Sequence, residues 1–420
     1  MLRLLKTVLI TAAVVSLAAG GVIAGTVSGA EKETSLRWPS STIKVTISSS
    51  FYRSAANILP GSDIDGALTR SFSRWESAAG IRFELTRADD ADVSPAGRAG
   101  DGRSIVTASG SAENMLLFSD GLEDSPAATR LFYDKSGNIT EADIALNPMQ
   151  RFSTGGEAGT YDLESVLTHE VGHMLGLDHS PVLGALMYEH QAQNGIFGAS
   201  FRKPVELSEA DETALRAIYG PGEFDIECCS ELDLQIGAPD SIVWGEVNGR
   251  VTAVATSDDQ GDARFRGLLP GLYSFYSRSG NGAVDSLGTV DLAVGDVRSF
   301  NARPLRQGSR VSLDHVGLSG RLYQMPVALA AGRVHTVYLG GQGLAPSTAI
   351  GTNAAGIQFD MSSFRLHDYG PGISVISVNV FIPADLPAGA YSIWAADAAG
   401  RRSYAVGAFS IFSARRGSDR

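Results

Sequence analysis

Cysteine is almost missing from this 420-residue chain: there are 2, and Cys228 and Cys229 are adjacent. Neighbouring cysteines form only a strained bond with each other, so no disulfide framework holds the fold. Cross-linking to another chain or free thiols stay open for the pair. Histidine is scarce as well, with 7 residues and none before His169. Positive charge is in the minority, since 34 Lys and Arg against 46 Asp and Glu give a net charge of −12. That balance gives no sign of a nucleic-acid partner or of attraction to an anionic membrane. Long apolar runs are missing except near the start, where Arg3 and Lys6 precede an uncharged stretch from Thr7 to about Val27. This reads as a secretory signal peptide over residues 1–30, with Ser28 and Ala30, or Val22 and Ala24, marking cleavage sites. An uncleaved anchor through residues 7–27 is the other reading, and both predict a secreted or extracellular protein. The hydrophilic end, SARRGSDR, carries neither a membrane tail nor a wall-sorting motif. With 44% hydrophobic residues, the length allows two to four domains with ample core.

What is present is concentrated in residues 162–188. There His169, Glu170, His173, Gly176 and His179 stand at the spacing H-E-x-x-H-x-x-G-x-x-H. Asp162 or Thr160 can cap a helix here, and Leu163, Val166 and Leu167 give it an apolar stripe. On such a helix His169 and His173 lie one turn apart on one face, so both imidazoles can reach a single metal ion. Glu170 is rotated by about 100° from His169, beside the metal, where a general base for a metal-activated water belongs. Gly176 can take the left-handed conformation that ends a helix, so His179 approaches from a separate segment. Three neutral imidazoles and one water make the open tetrahedral arrangement expected of catalytic zinc. A buried helix with merely hydrogen-bonded histidines is the bland alternative. Composition argues against it, since the five positions arise by chance in roughly one of 10⁵ such chains.

These residues resemble the metzincin signature and, within it, most closely the matrixins, peptidases of the M10 type. HEVGHMLGLDHS is followed by ALMY, similar to their methionine turn, and by LSEADETALRAIYG, similar to their C-terminal helix. The resemblance implies an α+β catalytic domain with a mixed five-stranded sheet and long helices. It also implies that Met187 floors the metal site. The segment EADIALNP resembles the strand that borders the cleft, so Ile144 and Ala145 are expected to pair with substrate backbone. Animal matrixins carry a second, structural zinc, one of whose histidines would fall near Leu146; with no histidine before His169, that site is expected to be absent. No cysteine lies upstream of His169, which excludes latency through a propeptide cysteine. Calcium is common in the family, and Asp89, Asp90, Asp92, Asp134 and Asp143 could serve, but none forms a D-x-D-x-D-G loop and no calcium site is assigned.

Along the chain, Ile43, Val45 and Ile47 alternate as a half-buried strand should. Asp63 can cap a helix carrying Ile64, Leu68, Phe72 and Trp75, with Gly80 ending it and strand alternation resuming at Ile81, Phe83 and Leu85. Strands are expected at 104–107, 115–118, 129–134 and 139–146. The loop over 189–206 offers Phe197, Phe201, Arg202 and Lys203 as pocket lining or as plain surface, and Ser208 caps the last helix. The catalytic domain is placed at 36–222. From about Leu232 the pattern is all β. Residues 232–306 resemble prealbumin-like or carboxypeptidase-regulatory-like sandwiches, and 307–415 resemble an immunoglobulin-like domain of the IPT type. His190, His315, His335 and His367 lack ligand spacing.

The leading reading is a secreted zinc endopeptidase acting on protein or peptide substrates, with Glu170 as base and oligomeric state open. Its rival is an exported adhesin or binding protein whose β-domains do the work beside a vestigial protease. A glutamate third ligand, Glu189 or Glu206, is disfavoured by Gly176 and His179.

Overall fold

Residues that alternate at helical and strand periods in the first half of the chain fold into one α/β core. The computed structural model describes residues 22–23 and 36–412, except 54–56, 90–91, 97–98, 120–121, 123, 192, 195–205, 223–227, 279–283 and 303–309. Most of the expected signal peptide lies outside the described residues, as do Asp90, Phe197, Phe201, Arg202 and Lys203.

The first half contains β1 (Val22–Ile23), β2 (Thr42–Ser48), α1 (Ile64–Ala78), β3 (Arg82–Ala88), β4 (Ser104–Thr107) and α2 (Ala112–Met115). It continues with β5 (Ala127–Tyr133), β6 (Ile139–Leu146), β7 (Phe152–Ser153), β8 (Tyr161–Asp162), α3 (Leu163–Met174) and α4 (Glu209–Tyr219). Asp63 caps α1 by accepting from the Gly66 amide, and Leu68, Phe72 and Trp75 are buried along it. They share a core with Val166, Leu167 and Val171 of α3 and with Ile43, Val45 and Ile47 of β2. The sheet order is β1-β5-β6-β4-β2-β3. Of these, β3, β2, β4 and β6 are parallel and β5 is antiparallel, so five strands between residues 42 and 146 make the expected mixed sheet and β1 extends it.

Two expectations are corrected. Residues 115–118 are helical, not extended, because Ser111 caps α2 by accepting from the Asn114 amide and the chain continues as a 3-10 turn. That turn buries Leu117 and Phe118 against Ile105, Ala128 and Ala145. Ile144 and Ala145 do not line a free edge: β6 runs between β5 and β4, with Ile144 opposite both Thr129 and Val106. Their backbone groups already belong to ladders on both sides, and both side chains are fully buried, so no substrate strand can add there. The strand outside β6 is β5.

Among the described residues, the regular elements of the second half are strands only. They are β9 (Ser230–Gln235), β10 (Ile242–Val247), β11 (Arg250–Thr256), β12 (Asp262–Leu268), β13 (Gly271–Arg278), β14 (Val284–Leu292) and β15 (Val297–Asn301). There follow β16 (His315–Leu318), β17 (Val327–Ala330), β18 (Arg333–Gly341), β19 (Ala349–Thr352) and β20 (Gln358–His367). The last are β21 (Ser374–Ile382), β22 (Gly389–Ala396) and β23 (Arg402–Phe412). One sheet runs β14-β13-β10-β11-β22-β23-β17, with β19 also on β22, and so draws strands from both sides of residue 306. A three-stranded sheet, β12-β9-β15, shares a core with one end of it through Leu234, Phe265 and Phe275. A four-stranded sheet, β16-β18-β21-β20, shares another with the far end through Val337, Val378 and Phe409. Cys228 and Cys229 are bonded to each other. No helix among the described residues is long and apolar enough to cross a membrane.

Candidate metal centre

Helix α3 begins where its sequence says it should, with the Asp162 carboxylate accepting from the Ser165 amide at 2.9 Å. It ends at Leu175 with a pair of reversed hydrogen bonds: the Gly176 amide donates to His173 O and the Leu177 amide to Gly172 O. Gly176 sits at φ +88°, in the left-handed region, and a Cβ there would lie 2.3 Å from Leu36 O, so any side chain would strain the backbone and force the Leu36 segment to shift. The indole of Trp38 donates to Met174 O and the Tyr219 hydroxyl to Leu175 O, which satisfies further carbonyls of the last turn.

The reversal brings His179 onto the pair from the helix. His169 Nε2 lies 3.1 Å from His173 Nε2 and 3.3 Å from His179 Nε2, and the remaining separation is 3.2 Å. Tetrahedral ligation by imidazole at about 2.0–2.1 Å puts ligand nitrogens about 3.3 Å apart, so the triangle fits one small divalent ion. The Nδ1–H of His169 donates to Leu186 O and that of His173 to Leu177 O, each at 2.8 Å, so each Nε2 lone pair points inward. Burial pushes His169 down to about 4 and His173 well below its ordinary value, and lowers His179 too. The three rings are therefore neutral near pH 7, as ligands must be. Among the described residues this is the one group of three or more His, Cys, Asp or Glu side chains whose ligand atoms converge.

Glu170 is buried beside the triad, and the lost hydration raises its carboxyl to about 7. The Thr129 hydroxyl donates to it at 2.6 Å, which opposes that rise. Sequence reasoning missed Thr129, since only the β5–α3 packing joins residues so far apart. It also missed Asp211. This buried carboxylate completes the cap of α4 with Ser208 and accepts from the amides of Leu186 and Met187. The same Leu186 offers its carbonyl to His169, so Asp211 acts on a ligand through the methionine turn. Met187 is buried, and a Cβ on Gly172 of α3 would fall 2.3 Å from its Sδ, placing the methionine directly under the helix.

Other expectations resolve apart from this centre. Asp134 folds back on its own turn to Ser136 and Asn138, and Asp143 accepts from the amides of Ser94 and Ile105. Asp89 lies 4.0 Å from Arg53. His190, outside any strand, lies 3.3 Å from its neighbour Glu189, while His335 of β18 donates to Ala330 O and His367 of β20 bonds Ser377, so each has a partner of its own.

The matrixin family pattern matches residues 37–220. Interstitial collagenase of Equus caballus is 29% identical over 183 residues, which are 40% of this chain and 31% of that protein. Metalloendoproteinase 1-MMP of Arabidopsis thaliana is 28% identical over 219 residues, 51% of each chain. The chain thus spans between about a third and a half of the length of these curated relatives. Among solved structures, the major pilin subunit of Bacillus cereus aligns with 42% of this chain and 66% of its own at 12% identity and TM-score 0.17, a likeness too slight to carry an argument.

Proposed function

Residues 37–220 form a matrixin-like metalloprotease domain, and from that premise we propose that the chain is an exported zinc endopeptidase cleaving peptide bonds in extracellular proteins. The observation that carries this reading is the convergence of three imidazole nitrogens, 3.1–3.3 Å apart, beside a buried carboxyl. Zinc held by His169, His173 and His179 would supply Lewis acidity to a water and to the scissile carbonyl. Glu170 moves the proton. With its carboxyl near 7 it accepts one from the attacking water and returns it to the leaving amine, both within reach of neutral pH. Thr129 holds that carboxylate in one orientation. The substrate backbone is assigned to the outer side of β5, where Val22–Ile23 already pair antiparallel with Arg130 and Leu131, as an extended peptide would. The later strands make two β-sandwiches joined through a common sheet, acting as spacers or adhesive modules. Export rests on the basic, then apolar character of residues 1–30.

The test is Glu170→Ala in the full chain, assayed for bound zinc and for cleavage of a denatured protein. Zinc should stay stoichiometric while cleavage falls by at least about 10²-fold. Undiminished cleavage would remove Glu170 from the base role, and a wild-type chain that binds zinc without cleaving anything would favour the adhesin reading.

A further inference from the structure

Between His179 and Met187 the chain makes a loop whose tip leaves its own domain. Its base is closed by the Ser180 amide donating to Met187 O at 2.7 Å, and the tip turns with the Ala185 amide on Val182 O. Val182 and Ala185 are almost wholly buried, yet the residues that cover them are largely those of the later sheet: Trp244, Val251, Ala390, Tyr404 and Val406. The Leu183 amide donates to Val406 O at 3.1 Å, which ties the tip to the backbone of β23. The fit is close. A Cβ on Gly184 would lie 3.0 Å from both Ala390 Cβ and Gly407 O, and a Cβ on Gly407 would lie 2.5 Å from Val182 Cγ1. Beyond the methionine, the Tyr188 hydroxyl donates to Gln324 O in the connection between β16 and β17.

This contact matters because of what the two ends of the loop carry. One end is His179, the exposed member of the triad. The other is Leu186–Met187: the Leu186 carbonyl orients His169, and the Met187 side chain packs against Gly172 of α3. A ligand from a helix is held by the helix's own hydrogen bonds; one from a loop is only as well placed as the loop is anchored. We propose that the β22–β23 face is a positioning surface of the metal centre. By gripping Val182–Ala185 it fixes His179 relative to His169 and His173, so metal affinity depends on a part of the chain that contributes no ligand. The proposal rests on reading the triad as a metal centre. It makes Ala390, Val406 and Gly407 positioning residues, outside the 37–220 region that matches the matrixin pattern.

The decisive variant is Ala390→Leu, which acts from the sheet side and leaves residues 36–222 unaltered; Gly184→Leu approaches the same contact from the loop. Both are made in the full chain. Amide hydrogen exchange of residues 180–188 is followed without metal, zinc affinity by competition with a chromogenic chelator, and the visible spectrum with cobalt(II). Exchange should rise, zinc affinity should fall at least about tenfold, the cobalt bands should shift, and kcat on a short peptide should fall with KM little changed. Faster exchange with zinc affinity and cobalt spectrum unchanged would overturn the proposal, because the loop would then hold His179 unaided. A wild-type chain that takes up neither zinc nor cobalt would instead sink the metal-centre reading, with the exchange data still reporting whether the loop is docked.

Discussion

Helix α3 and the loop after it supply the three imidazoles of one candidate metal centre, but they hold them by different means. His169 and His173 are buried, and each ring is locked by an Nδ1 hydrogen bond to a carbonyl. His179 is exposed and comes from a loop whose support lies elsewhere, in the Asp211 carboxylate below and in β22–β23 at the tip. The helix carries its geometry within a dozen residues. The loop borrows its geometry from residues 24 to more than 200 positions away. Errors far from the metal should therefore reach the centre through the loop and not through the helix.

The sharpest way to test that contrast is Asp211→Ala. It leaves the Leu186 and Met187 amides without their buried acceptor and breaks the cap of α4. Zinc affinity should fall by about 10–100-fold, and the loss of stability should be about 2–5 kcal/mol, read by chelator competition and denaturant titration. Gly176→Ala attacks the junction between helix and loop. The left-handed backbone and the approach to Leu36 O should cost about 1–3 kcal/mol, with weaker zinc binding. Trp38→Phe touches only the helix end, removing the bond to Met174 O. About 1 kcal/mol of stability should go, while zinc affinity stays within about threefold of wild type. A large affinity loss in this last variant would break the contrast.

Much of the centre was legible in the chain because its rules are local. The 3.6-residue period put His169 and His173 on one face, Asp162 and Ser208 announced the starts of their helices, and Gly176 marked the reversal. The mistakes share a different origin. EADIALNP looks like an isolated strand, and nothing within it tells whether its outer side is open; the answer came from β5 closing on it. Residues 115–118 are apolar enough for a strand, but the Ser111 cap decided for a helix. The division expected near residue 306 is a separate matter: it follows a change of pattern along the chain, and the eight-stranded sheet joins strands from both sides of it through the pair Arg250–Tyr391 of β11 and β22.

The amino-acid order alone determined which side chains could face a common ion, since helix period, capping and glycine's backbone freedom are set by a few neighbouring residues. The tertiary structure alone decided that β6 lies inside the sheet, that Thr129 meets Glu170, and that the loop carrying His179 leans on β23. Those outcomes depend on pairings between segments distant in sequence. Such pairings are chosen by how the whole set of strands packs, and no short stretch encodes that choice.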